Sequence, residues 1–141
     1  MSYTVDYAKA LDNDLNELRL ADLQEAALWF ELIDAIYDIE PVANELMVNN
    51  GYRIDQPRFD TIPVGVLLKA GYNVGRIKLY RAGGIPHRHR LLYALNHSAA
   101  TCTIWLLGLM ERNADYDLKH PFLQRICRDY DNLGIARVPR G

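Results

Sequence analysis

The fold is decided by residues 74–116, VGRIKLYRAGGIPHRHRLLYALNHSAATCTIWLLGLMERNADY. Three runs in this stretch have the composition of β-strands: Val74–Tyr80, Arg88–Leu95 and Thr103–Met110. A Gly-Gly-Ile-Pro turn follows the first run and an Asn-His-Ser turn follows the second. The pattern therefore predicts three consecutive antiparallel strands.

Alternation within these runs predicts a face of the sheet that carries cations. Successive side chains of a strand point to opposite faces, so Arg76 and Lys78 share one face of the first strand. Arg88 and Arg90 share a face of the second strand in the same way. The third run is almost wholly apolar, which is typical of a strand buried on both faces, and Arg112 follows its end. We expect Arg112 to lie at the rim of the sheet and the other cations to be exposed on its open face.

The flanking segments are mostly helical in pattern, because their apolar residues recur at helical spacing. The remaining predicted elements are a short strand at 3–7, helices at 8–20, 22–39 and 41–50, an ordered connection at 52–73 with room for a brief strand or turn, and a helix at 117–134. Helices followed by strands indicate an α+β domain. We expect an antiparallel sheet, made of the short N-terminal strand and the three-stranded meander, packed against an N-terminal helical hairpin. The other face would be open, and a C-terminal helix would follow.

Length and composition narrow the class of protein. A chain of 141 residues, half of them apolar, is expected to form a single domain over 1–141. It has no apolar run of about 18 residues, and its start lacks the pattern of a signal peptide, so we expect a cytoplasmic protein without a membrane segment. The two cysteines and four histidines lack the spacing of metal ligands, so we expect neither metal nor other cofactor.

Charge is distributed unevenly along the chain. Residues 1–70 hold 5 basic and 13 acidic side chains, a balance of −8. Residues 71–141 hold 11 basic and 5 acidic side chains, a balance of +6. Such asymmetry is an argument about partners, and it indicates a surface for polyanions such as phosphates.

Three segments in order resemble the RelE-like branch of the RelE/ParE superfamily, toxins of bacterial type II toxin–antitoxin systems. They are 76–79 (RIKL), 89–93 (HRLLY) and the apolar strand that ends at Glu111-Arg112. The resemblance implies an mRNA endoribonuclease that acts on the ribosome by attack of a 2′-hydroxyl on the adjacent phosphate. It also implies a cognate antitoxin protein as partner, with growth arrest when the antitoxin is absent.

The same resemblance implies particular site residues. The catalytic positions would be Arg76, Lys78, Arg90, Arg112 and Tyr116, and the RNA-binding positions would be Arg81, His87, Arg88 and His89. Arginine stays protonated, so proton transfer would fall to Lys78, a histidine, Tyr116 or Glu111.

Several alternatives stay open at the level of sequence. The fold could belong to a ParE-like toxin that poisons DNA gyrase, or to a non-catalytic binding relative. The cations could form a solvated strand face or pair with carboxylates, and His87, Arg88 and His89 could be only a polar hairpin tip. Tyr93, Trp29 and Trp105 are expected to be core residues.

Overall fold

Within residues 2–111 and 116–139, which this computed structural model describes, the chain forms five helices and six strands. The helices are α1 (Lys9–Ala21), α2 (Leu23–Asp38), α3 (Glu40–Val48), α4 (Gly65–Lys69) and α5 (Pro121–Asn132). The strands are β1 (Ser2–Tyr7), β2 (Tyr52–Arg53), β3 (Phe59–Pro63), β4 (Val74–Tyr80), β5 (Pro86–His97) and β6 (Thr101–Glu111). The predicted α+β class is confirmed. None of the described helices is both long enough and apolar enough to cross a membrane.

The described strands form one six-stranded mixed sheet in the order β1-β6-β5-β4-β3-β2. All neighbours are antiparallel except β1, which pairs with β6 in parallel. The predicted antiparallel meander of β4, β5 and β6 is confirmed, but the predicted four-stranded antiparallel sheet is wrong, because β1 pairs in parallel and β2 and β3 join the sheet. A parallel partner must be reached by a long crossover, and here the three N-terminal helices and the rest of the sheet separate β1 from β6 along the chain. The segment 52–73, predicted as a connection, adds β2, β3 and α4 to the fold.

Helices α1, α2 and α3 cover one face of the sheet. Two local features fix their ends: the Asp22 side chain accepts a hydrogen bond from the Glu25 N–H at 3.1 Å, and Asn49 adopts a left-handed conformation after α3. Trp29 and Tyr93 are fully buried in the core between these helices and the sheet, as predicted. Other members of this core include Leu11, Leu32, Leu46, Ile77, Leu79 and Leu91.

The opposite face is not open along its whole length, contrary to the prediction. Helices α4 and α5 pack on part of it and form a second core, which includes Leu67, Val74, Leu92, Leu107, Leu123, Ile126 and Tyr130. Trp105 is partly buried against the same core. Arg76, Lys78 and Arg90 point to this face as well, because they are in phase with Val74 on β4 and Leu92 on β5. We call these three residues the basic cluster.

An ion pair joins the two layers beside β6. Strand β1 pairs with β6 only as far as Leu106, so the edge of β6 beyond it needs other partners. The Asp14 carboxylate of α1 accepts the N–H of Leu109 at 3.0 Å and both terminal nitrogens of Arg125 at 2.9 and 2.7 Å. Gly108 lies under this pair, and a Cβ there would stand 2.2 Å from an Arg125 nitrogen.

Candidate functional site

The centre of the candidate site is a row of side chains that crosses the sheet. Asp60 of β3 is opposite Lys78 of β4, which is opposite Arg90 of β5. Side chains directly opposite each other in an antiparallel pair lie about 4.5–5.5 Å apart at Cβ, and like charges in that position are destabilising. Lys78 and Arg90 are such a pair, so this row is a place where an added anion would be stabilised.

Asp60 is the anion that the fold itself supplies to the basic cluster. Its carboxylate accepts a hydrogen bond from Arg76 Nη1 at 2.5 Å and another from the Tyr80 hydroxyl at 2.5 Å. Burial and the Asp60 carboxylate raise the pKa of Tyr80 to about 12, so its hydroxyl stays a proton donor. Asp60 thus neutralises Arg76 and fixes its position.

Lys78 has a different environment. None of the ion pairs formed within 2–111 and 116–139 includes it. Burial lowers the pKa of Lys78, and the neighbouring charges of Arg76 and Arg90 lower it further, against a smaller opposite effect of Asp60. Lys78 therefore loses its proton more readily than an ordinary lysine does.

Arg90 is held firmly in place. It is 7% exposed, and its Nη1 donates to the backbone carbonyls of His87 and His89 at 2.6 and 3.0 Å. These two hydrogen bonds orient the guanidinium.

Tyr116 lies within electrostatic range of the basic cluster. Its side chain is 39% exposed. Burial raises the pKa of Tyr116, while the charges of Arg76 and Arg90 act in the opposite direction. The structure thus brings together four of the five predicted catalytic residues. The fifth, Arg112, lies outside the described residues, and its role stays a prediction.

The predicted RNA-binding residues are divided between two faces. Arg88 is exposed on the face of the basic cluster, and Arg81 is exposed in the turn after β4. His87 and His89 instead point towards α2, where the buried Glu25 carboxylate pairs with His89 Nδ1 and lies 3.4 Å from His87 Nδ1. Since His87 is only 5% exposed, the interpretation of it as part of a polar hairpin tip is wrong.

Glu25 and Asp60 are the residues of this region that the sequence reasoning missed. Burial alone would raise the pKa of Glu25, but its hydrogen bonds to His89 and to the Arg88 N–H lower it overall, so it is ionised at neutral pH. The sequence feature that could have indicated Glu25 is its position three residues after Asp22, the N-cap residue of α2. Asp60 lies in the unassigned segment 52–73, where the alternation of FDTIP was the available signal.

Comparison with known proteins gives no match. No protein family, curated protein or solved structure is significantly similar to the chain. Within the described part of the chain, no group of His, Cys, Asp and Glu side chains has a geometry that could hold a metal ion. The arguments about function therefore depend on the basic cluster and its surroundings.

Proposed function

We propose that the protein is an mRNA endoribonuclease toxin of the RelE-like kind, which cuts RNA by attack of a 2′-hydroxyl on the adjacent phosphate. The observation that carries the proposal is the position of Lys78, which has a lowered pKa and lies beside Arg76 and Arg90 on neighbouring strands, with Tyr116 close to both arginines. This combination supplies cations and proton-transfer groups around one point of the sheet.

Each group has a part in the proposed reaction. Neutral Lys78 takes the proton from the 2′-hydroxyl, whose oxygen then bonds to phosphorus. Arg76 and Arg90 stabilise the negative charge that builds on the phosphoryl oxygens, an effect that is strong when the cations are already fixed in position. The bond from phosphorus to the 5′-oxygen breaks, and Tyr116, kept protonated by its raised pKa, gives that oxygen a proton. The products are a 2′,3′-cyclic phosphate and a free 5′-hydroxyl.

The proposal includes partners and a setting. The substrate is mRNA on the ribosome in the cytoplasm, and the toxin is held inactive by a cognate antitoxin encoded beside it. The positive balance of residues 71–141, which contain the whole basic cluster, supports a polyanionic substrate.

One observation favours a second candidate, a non-catalytic binding relative or a ParE-like toxin that acts on gyrase. Asp60 already neutralises Arg76 in the structure, and a cation with an internal partner has less charge to offer a phosphate. In this candidate the basic cluster serves docking to a protein or nucleic acid and no bond is broken.

The experiment that tests the proposal is cleavage of mRNA by purified protein in a reconstituted translation system, with mapping of the new RNA ends. We expect cuts that leave 5′-hydroxyl ends, and a loss of about 10²–10⁴-fold for Lys78→Ala, the range typical of a proton-transfer group. Lys69→Ala is the matched control, because Lys69 is exposed on α4 and should be dispensable.

Three other results would decide against the proposal or refine it. Intact mRNA at a large excess of wild-type protein would refute the nuclease. Trapped gyrase–DNA cleavage complexes would support the ParE-like alternative. Growth arrest on induction, compared between wild type, Lys78→Ala and Arg112→Ala, links the chemistry to toxicity and tests the outstanding prediction for Arg112.

A further inference from the structure

A cavity of about 610 Å³ lies where the start of α2 meets the turn after β4. It is formed between the start of α2, the segment before β3 and the turn after β4. The lining residues that matter here are Gln24, Gln56, Arg58, Tyr80, Arg81 and His87. Tyr80 belongs to both places, because its hydroxyl donates to the same Asp60 carboxylate that holds Arg76. The Tyr80 side chain therefore connects the cavity to the basic cluster, which lies on the face of the sheet opposite α2, and the volume is typical of ligand sites.

Two guanidinium groups in this cavity have charge available for an anion. Arg58 donates from Nε and Nη2 to the neutral Tyr52 hydroxyl at 3.1 and 2.6 Å, and neither Arg58 nor Arg81 has a carboxylate partner within the part of the chain described. Asp22 and Glu25 also line the cavity. The Asp22 carboxylate accepts a hydrogen bond from the neutral Glu25 N–H and keeps its charge, whereas the Glu25 carboxylate is paired with His89 Nδ1.

A cation–π cluster of Arg58, Tyr80 and Tyr52 lies at one wall. The Arg58 guanidinium carbon lies 5.3 Å from the centre of the Tyr80 ring and 5.8 Å from that of Tyr52. The two rings themselves meet edge to face with centres 6.3 Å apart. Aromatic rings and guanidinium planes are the surfaces on which unpaired bases of single-stranded RNA stack.

His87 gives the cavity a polar ring. It is 5% exposed, its Nδ1 lies 3.4 Å from the Glu25 carboxylate, and its Nε2 makes no hydrogen bond to the described residues. Burial lowers the pKa of His87, so the ring is neutral and has one donor and one acceptor. Buried polar groups are nearly always hydrogen-bonded in proteins, and the edge of a nucleobase offers both kinds of partner.

We propose that this cavity binds the nucleotide next to the cleaved bond of single-stranded RNA: Arg58 and Arg81 contact its phosphate, its base stacks on the Arg58–Tyr80 wall and His87 contacts the base edge. The inference extends the proposed function and depends on it for the identity of the polymer. Gln24 and Gln56 at the cavity wall would add contacts to the base.

The test is binding of fluorescent 2′-O-methyl RNA hexamers, which cannot be cleaved, measured by anisotropy at several salt concentrations. We expect Arg58→Ala/Arg81→Ala to weaken binding at least about tenfold and to reduce the salt slope by about 1.4, because each lost phosphate contact on a single strand contributes about 0.7. Arg19→Ala/Arg128→Ala removes the same charge from two exposed helical positions and should change affinity less than about twofold.

Two further measurements separate the parts of the proposal. Arg58→Lys keeps the charge but loses the planar group, so it should weaken binding of the hexamer while leaving the salt slope at the wild-type value. His87→Ala should reduce the differences in affinity between hexamers of A, C, G and U, with thermal melting as the check that it folds. Equal affinity of wild type and the Arg58/Arg81 double variant, or no hexamer binding by wild type, would overturn the inference.

The two proposals can fail separately. If mRNA stays intact in the translation assay but the Arg58/Arg81 variant still loses hexamer binding, the nuclease is refuted and the cavity stands as an RNA site. If mRNA is cut and hexamer binding is insensitive to these arginines, the cavity is refuted and the nuclease stands.

Discussion

Replacing Asp60 by Asn gives the sharpest test of how the site is built. Asn keeps the shape of the side chain but removes the charge that holds Arg76, whose side chain is 11% exposed against 20% for Asp60. Breaking one partner of a fully buried pair costs about 3–5 kcal/mol. Because this pair is partly solvated and the Asn oxygen can still accept a hydrogen bond, we expect a loss of about 1–3 kcal/mol in the free energy of unfolding.

The Tyr80 hydroxyl reports on the same substitution independently. Its pKa of about 12 exceeds the ordinary value of 10.0 through burial first and Asp60 second. A rise of about 2 units corresponds to about 2.7 kcal/mol, and Asp60 supplies only a part of it, so we expect Asp60→Asn to lower the Tyr80 pKa by about 1 unit. The Tyr80 pKa should fall when Asp60 loses its charge, because a nearby negative charge disfavours the phenolate.

The measurements are urea unfolding and a tyrosine NMR titration, with Tyr80→Phe to assign the signal. Asp55→Asn is the control: Asp55 pairs with Arg53 but is 66% exposed, so its loss should cost less than about 1 kcal/mol. An Asp60→Asn protein with wild-type stability and an unchanged Tyr80 titration would refute the reasoning that Asp60 organises the basic cluster.

Three more outcomes are expected. The rate of RNA cleavage should rise with pH through a midpoint below 10.5, the ordinary pKa of lysine, because neutral Lys78 is the base. If the Lys78→Arg variant shows the same rise in its pH–rate profile, Lys78 is not the base. Glu25→Gln should cost about 2–4 kcal/mol in urea unfolding at pH 7. The pKa of Glu25 is lowered in the folded protein, so its contribution is present above the unfolded value of 4.5 and is lost as pH falls through the folded value; a cost that persists at pH 2 would contradict the assignment. Gly108→Ala should lower the melting temperature by several degrees, because its Cβ would meet Arg125 and Asp14. An unchanged melting curve would show that the Asp14–Arg125 ion pair moves aside without loss of stability.

The sequence was most informative where the pattern was strong and local. Alternation along β4 and β5 placed Arg76, Lys78 and Arg90 on one face and Tyr93 in the core, as observed. Side-chain direction in a strand depends only on the parity of the position, so it can be obtained without knowing the partner strands.

The parts that could not be predicted depend on long-range pairing. Nothing local in Ser2–Tyr7 specifies a parallel partner about 100 residues away, and β2 has only two residues. Asp60 was missed for the same reason, because its role exists only through the pairing of β3 with β4. Glu25, the partner of His89, was also missed because it comes from a helix 64 positions earlier in the chain.

The carboxylate of Asp14 has a consequence for how molecules of this protein meet each other. A strand end with free backbone groups is a template on which another chain can add a strand, and natural proteins block such templates with charge. Here one backbone donor of β6 past its last parallel pair is already bound to Asp14, which is itself held by Arg125. Replacing Asp14 would leave the fold intact in outline, but this backbone donor of β6 would then be unpaired at the sheet edge. Molecules of the protein would associate through that edge at high concentration.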